Sequence, residues 1–74
     1  MKFIGWVDCS GMMLCVNSLE DGFICEKYAG GSKVHNANVV CNSKEELEAF
    51  LHSLPNSKKK HIEDLMTKID SFNL

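Results

Sequence analysis

Two apolar stripes at helical spacing in the C-terminal third constrain this chain more than any other feature. Leu47, Phe50, Leu51 and Leu54 fall at i, i+3, i+4 and i+7. Ile62, Leu65, Met66 and Ile69 repeat the pattern, and Phe72 extends it. Ser43-Lys44-Glu45-Glu46 precedes the first stripe as a capping box: the Ser43 hydroxyl accepts from the third helical N–H, and Glu46 reaches back to the cap residue. Leu54-Pro55-Asn56-Ser57 separates the stripes, because proline disfavours helical geometry at the residue before it. Two helices with one apolar face each must cover a surface, and the first 41 residues must supply it.

Those residues read as strands. Lys2 to Cys9 alternates and is rich in β-formers, with Phe3, Val7 and Cys9 expected on one face and Lys2, Trp6 and Asp8 on the other. Ser10-Gly11 is a turn signal, and Met12 to Leu19 is a second strand. Asp21-Gly22, between two β-like runs, predicts a two-residue hairpin loop that sets Leu19 opposite Ile24, Asn17 opposite Glu26 and Cys15 opposite Tyr28. Leu14, Val16 and Cys25 then share the apolar face that the helices cover. Phe23 to Tyr28 is strand three, Gly30-Gly31-Ser32 a flexible connection, and Lys33 to Cys41 strand four, with Ala37, Val39 and Cys41 inward and Asn36 and Asn38 outward. The expected fold is α+β: one domain over residues 1–74, a four-stranded antiparallel sheet within 2–41 and two C-terminal antiparallel helices within 43–70 on one face, in the order ββββαα.

A chain of 74 residues buries only ~60% of its unfolded surface, so its stability margin is thin. With 45% hydrophobic and 24% charged residues the composition is that of a globular protein. The net charge of −2 lacks the basic footprint of a duplex DNA binder. The apolar start Met1-Lys2-Phe3-Ile4 is interrupted by Asp8 before a signal peptide can form, and no run approaches the ~18 apolar residues a bilayer requires. The expectation is a cytosolic protein without membrane association.

Cys9, Cys15, Cys25 and Cys41 form no C-x-x-C pair and read as small buried hydrophobes; a metal site would have to recruit His35, His52 or His61, and the spacing does not suggest one. No catalytic constellation, cofactor motif or metal set is present, so the expectation is a protein that is not an enzyme. Glu45, Glu46 and Glu48 sit where they complement a helix dipole, and His52 lies on the polar side of its helix. Lys58-Lys59-Lys60-His61 could form a small basic patch for a phosphate or an acidic partner, although three lysines without an interleaved aromatic are a weak nucleic-acid signal. The other candidate is the uncovered sheet face, where Trp6, Leu19, Ile24 and Tyr28 mix with Asp8, Asn17, Glu26, Asn36 and Asn38. Exposed aromatics among polar groups suit protein binding.

Several of these residues also carry a family likeness. Met1-Lys2-Phe3-Ile4 with Trp6, the run Ser43-x-Glu45-x-Leu47-Glu48, Leu54-Pro55-x-Ser57, and Ile62-Glu63-x-x-Met66-x-x-Ile69 together resemble the first-described type I-F anti-CRISPR family. The likeness covers the extreme N-terminus and residues 42–70. It implies four antiparallel strands, two helices on one face and no enzymatic activity. It also implies a phage- or mobile-element-encoded inhibitor acting in the host bacterial cytoplasm. Such inhibitors bind the repeated backbone subunits of the CRISPR–Cas surveillance complex and block hybridisation of target DNA to the guide RNA. The partner is then protein, with no direct nucleic-acid contact required and a free inhibitor that is monomeric. Under this likeness Trp6 takes the place of an aromatic near the end of the first strand, and Leu19 that of a second aromatic before the strand two–three turn. Glu26 is the nearest match to a glutamate late in strand three, with Tyr28 or Gly30 as the alternatives. The expected partner-binding set is Trp6, Asn17, Leu19, Glu26 and Tyr28. The competing expectation is a small nucleic-acid-binding, phage regulatory or antitoxin protein using Lys58 to His61.

Overall fold

The computed structural model describes residues 1–72, including the backbone but not the side chain of Phe72, so the proposed extension of the second stripe lies outside the described side chains. The fold is α+β, an antiparallel sheet followed by two helices. The elements are β1 (Lys2–Asp8), β2 (Met12–Leu19), β3 (Gly22–Ala29), β4 (Ser32–Lys33), β5 (Val39–Cys41), α1 (Lys44–Ser53) and α2 (Lys59–Phe72). Strand order is β1-β2-β3-β4, and β5 also pairs with β3. β4 joins β3 at Tyr28 and Ala29, whereas β5 joins it at Phe23 to Cys25. The expected fourth strand is therefore one edge position filled by two short segments. Val34 N–H still donates to Lys27 O at 2.8 Å, residues 35–38 leave the edge, and Asn36 adopts φ 61°. His35-Asn36-Ala37-Asn38 is poor in β-formers, and asparagine accepts left-handed geometry at little cost.

The first turn falls where its sequence signal places it, and the next two differ from theirs. Ser10 and Gly11 both take positive φ (49° and 88°) and close the β1–β2 hairpin, with Cys9 N–H donating to Met12 O at 2.8 Å. Positive φ at both central residues suits the right-handed strand twist. Gly30 and Gly31 do the same at 59° and 82°, so this stretch is a tight hairpin turn between β3 and β4 rather than a loose connection. The β2–β3 loop is Glu20-Asp21, not Asp21-Gly22. Leu19 pairs with Gly22, Asn17 with Ile24, Cys15 with Glu26 and Met13 with Tyr28. Each pair is displaced by two residues from expectation, which preserves the faces because side chains alternate with period two. Gly22 serves close approach instead of turn geometry: a Cβ there would run into the carbonyl oxygen of Cys41.

The faces expected for Lys2 and Phe3 are exchanged, Lys2 pairing with Ser18 and Phe3 with Asn17. The β1–β2 register shifts between Phe3 and Gly5, a bulge that adds one residue to β1. Ile4 and Gly5 consequently both lie toward the helices. Ile4 enters the core, while a Cβ on Gly5 would sit 3.1 Å from Leu65 Cδ1. Phe3, expected inward beside Val7, lies on the opposite face with Trp6.

The core gathers Val7 from β1, Cys9 just after it, Leu14 and Val16 from β2, Cys25 and Cys41, and the helix residues Leu47, Leu51, Ile62, Leu65, Met66 and Ile69. Phe50, Leu54, Phe23 and Val39 pack around it. In the capping box, Glu46 N–H donates to Ser43 Oγ at 3.1 Å, and the Glu46 carboxylate accepts from Asn42 N–H at 3.3 Å, one residue before the cap. α1 ends at Leu54, whose ψ of 131° is the extended geometry expected before proline. The Ser57 hydroxyl lies 3.0 and 3.1 Å from the Leu51 and Leu54 carbonyls and serves the open C-terminal end of α1. Among the described residues, no helix is long and apolar enough to cross a membrane.

Candidate functional site: the uncovered face of the sheet

With both helices on one side, the other face of the sheet carries an aromatic row. Phe3 is 49% and Trp6 43% exposed. Their ring centroids lie 5.8 Å apart, and Trp6 meets the Tyr28 ring edge-on at 5.3 Å. Such tilted and edge-to-face contacts suit the ring quadrupoles and hold each side chain in a defined orientation. Trp6 stands on β1 opposite Cys15, Tyr28 on β3 opposite Met13, and the two rings meet across β2. Beside them, Met13 and the turn glycines Gly11, Gly30 and Gly31 form a shallow open groove. Because those glycines carry no side chain, the flanks of Trp6 and Tyr28 remain accessible from that end.

Beneath the aromatic row lies a buried polar pair. Asn17 is 7% and Glu26 9% exposed although both belong to the uncovered face. Asn17 Nδ2 donates to Glu26 Oε1 at 3.0 Å, and the second Glu26 oxygen pairs with Lys33 Nζ at 2.5 Å. Asn17 Nδ2 also lies 3.7 Å from Cys15 Sγ. The Glu26 hydrogen bond and charge raise the pKa of Lys33. Glu26 is therefore oriented from both sides, by an amide below and an ammonium at the rim. Burial first, and then the Glu26 charge against the Asn17 hydrogen bond, pushes the Cys15 thiol up, so Cys15 acts here as a protonated apolar group.

The expected residues separate into groups. Exposed Trp6 and half-buried Tyr28 form the open surface, whereas Asn17 and Glu26 form its buried support. Leu19 is half-buried at the far end of β2, four residues beyond Cys15 and about 13 Å along the strand, so it does not join the ring cluster. Asn36 and Asn38 sit in the excursion off the sheet edge instead of on a strand. Asp8 turns toward the start of α2, pairing with Lys58 Nζ at 3.3 Å. Phe3, Met13 and Lys33 belong to this surface and were not expected on it. The only sequence signal for Phe3 was Gly5, since an isolated glycine within a strand often marks a bulge.

The basic stretch is partly occupied by the fold. Lys58 N–H donates to Asp8 O at 3.1 Å, Asp8 N–H donates to His61 Nδ1 at 3.2 Å, and Lys58 holds the Asp8 carboxylate. Lys59 and Lys60 are exposed at the start of α2. All four cysteines are buried and free, and no group of His, Cys, Asp or Glu among the described residues could hold a metal ion. No family model, no curated protein and no solved structure matches the chain.

Proposed function

We propose that this protein is an anti-CRISPR inhibitor that docks its uncovered sheet face on the backbone subunits of a type I-F CRISPR–Cas surveillance complex. The bound inhibitor blocks target DNA from hybridising to the guide RNA. One observation carries the reading: exposed Phe3 and Trp6 and half-buried Tyr28 form a continuous aromatic row on the side of the sheet away from the helices. The likeness to that family at the N-terminus and over residues 42–70 supplies the partner. Trp6 is the central anchor, since it alone touches both other rings. The Asn17–Glu26–Lys33 group keeps the platform under it rigid.

The alternative, a nucleic-acid-binding or regulatory protein using Lys58 to His61, has less to stand on. Asp8 engages Lys58 and His61, which leaves Lys59 and Lys60 as its contact cations. A gel shift across a salt series separates the readings, because nucleic-acid binding through lysines weakens steeply as salt rises.

The deciding experiment is pull-down with purified surveillance complex, followed by a target-DNA binding assay. Truncating a central interface aromatic typically removes ~2 kcal/mol, roughly thirtyfold in affinity. Trp6→Ala is expected to weaken capture at least that much while the circular dichroism spectrum stays unchanged, because Trp6 lies outside the helix-covered core. Undiminished inhibition by this variant would rule out the aromatic face as the docking surface.

A further inference from the structure

Lys27 is out of place. The helix-covered row of β3 runs Phe23, Cys25, Lys27, and the cation stands opposite Leu14, a core residue only 2% exposed. Lys27 is half-buried, and among the described residues it has no ion pair. A lysine is rarely covered on a core-facing row, because its charge favours water or an anionic partner. The lysine stem could in principle run out along apolar surface and leave the head in water. Here, though, the apolar surface beside it is concave.

A cavity of about 110 Å³ opens at this end of the sheet, where the β1–β2 turn meets the Leu54-Pro55 bend. It is lined by Cys9, Met12, Met13, Leu14, Leu54 and Pro55, with Lys27 as the one charged lining residue. An apolar pocket of this order has room for a small hydrocarbon. Methionine walls adapt readily to the shape of an apolar guest. The Lys27 charge is felt at Cys9, which places the ammonium within electrostatic reach of the cavity wall. Apolar walls with one cation specify an occupant with a short hydrocarbon tail and a single anionic head.

We infer that the cavity beneath the Leu54-Pro55 bend is a binding site for a small aliphatic carboxylic acid, its chain against Met12, Leu14 and Leu54 and its carboxylate on Lys27. The site lies on the helix side of the sheet, apart from the aromatic row, and does not depend on the function proposed above. A chain of about four to six carbons suits a void of this size. Longer acids must displace Met12 or project past Pro55.

The test uses the full chain with methyl-labelled Met and Leu, titrated with hexanoate and, in parallel, with hexanol. Hexanoate is expected to move the methyl resonances of Met12, Met13, Leu14 and Leu54, to leave Leu47 and Leu51 unmoved, and to raise the melting temperature. Hexanol, lacking the charge, is expected to bind about tenfold or more weakly, the usual worth of a charge-assisted hydrogen bond. Lys27→Met retains the stem and is expected to lower hexanoate affinity to that of hexanol while leaving hexanol unchanged. Equal binding of the two probes, or equal hexanoate binding by the variant, would overturn the assignment by reducing it to non-specific filling of an apolar void. Absence of methyl shifts at millimolar hexanoate would overturn it outright. Methyl shifts that follow protein concentration without ligand would give the cavity to a second copy of the chain.

Discussion

At the scale of single residues, the uncovered face is held by groups that are not themselves exposed. Glu26 accepts from the Asn17 amide and pairs with Lys33, yet its two partners differ in what they contribute. Asn17 is buried, so losing its acceptor leaves a donor without its best partner, at about 1–3 kcal/mol. Lys33 is a rim residue whose ammonium remains hydrated, and exposed ion pairs contribute under ~1 kcal/mol. Glu26→Ala is therefore expected to lower the urea midpoint clearly, and Lys33→Ala only slightly. Glu26→Gln, which keeps an acceptor for Asn17 without the charge, should recover most of the loss. If Lys33→Ala matched Glu26→Ala, the ion pair would outweigh the buried hydrogen bond. Gly22 shows the same separation of signal from role. Asp-Gly suggested a turn glycine, but the constraint is the Cys41 carbonyl beside its Cα. Gly22→Ala is expected to cost about 1–3 kcal/mol by forcing β5 away from β3. Gly11→Ala is expected to cost ~1–2 kcal/mol for its left-handed backbone, since it meets no neighbouring atom. Chemical denaturation of the two variants, with amide exchange at Val39 to Cys41, distinguishes loosening of the edge from simple turn strain.

At the scale of elements, the helices were legible and the strand details were not, for a physical reason. A helix is specified locally: Ser43, Glu46, Pro55 and the two stripes each act within about a turn, and all of them appear where their spacing places them. Ser43→Ala is accordingly expected to destabilise the protein by ~1 kcal/mol, the usual worth of a helix cap, measurable by thermal melting. A loss near zero would mean that the Asn42–Glu46 contact alone satisfies that end of α1. Strand faces were also legible, since period-two alternation put Leu14, Val16 and Cys25 together under the helices. Register depends instead on partners distant in sequence. Ile4 and Gly5 both turn toward α2 because Leu65 leaves room for a glycine beside Ile4, and nothing in Phe3-Ile4-Gly5-Trp6 states where Leu65 will be. That single bulge decides whether Phe3 is core or surface. The fourth strand broke for a complementary reason: its centre lacks residues that would hold an edge position, which propensity could have indicated had His35 to Asn38 been weighed separately. Lys27 shares its face with Leu14, Val16 and Cys25, whose apolar pattern masks the single cation among them.

At the scale of the whole molecule, one face of the sheet is packed under the helices and the other is open, and the small core explains how the protein should respond to pH. Four of its buried side chains are thiols. Burial raises the pKa of each; Cys25, fully enclosed and next to Cys41, is pushed from 9.0 up to about 12. The folded state thus keeps its thiol protons at pH values where the unfolded chain has released them. Above pH ~9 the unfolded state binds fewer protons, so stability falls as pH rises. The Cys25 contribution is whole below the unfolded value and is lost progressively as pH climbs toward about 12. Each thiol adds at most ~1.4 kcal/mol per pH unit to that slope. Lys33 and Lys44, raised by Glu26 and Asp70, act in the same direction at still higher pH, so the wild-type slope alone does not identify its source. Cys25→Ala does. The variant should be less stable at pH 7.5, because it leaves a small void against Cys41 and the helices, but its urea midpoint should fall less steeply between pH 8.5 and 10.5. Parallel slopes for the two proteins would show that Cys25 does not drive the alkaline loss. Since Trp6 and Tyr28 lie on the other face, Cys25→Ala folded at neutral pH should retain whatever partner the aromatic row engages, whereas Trp6→Ala should keep the alkaline slope and lose the partner.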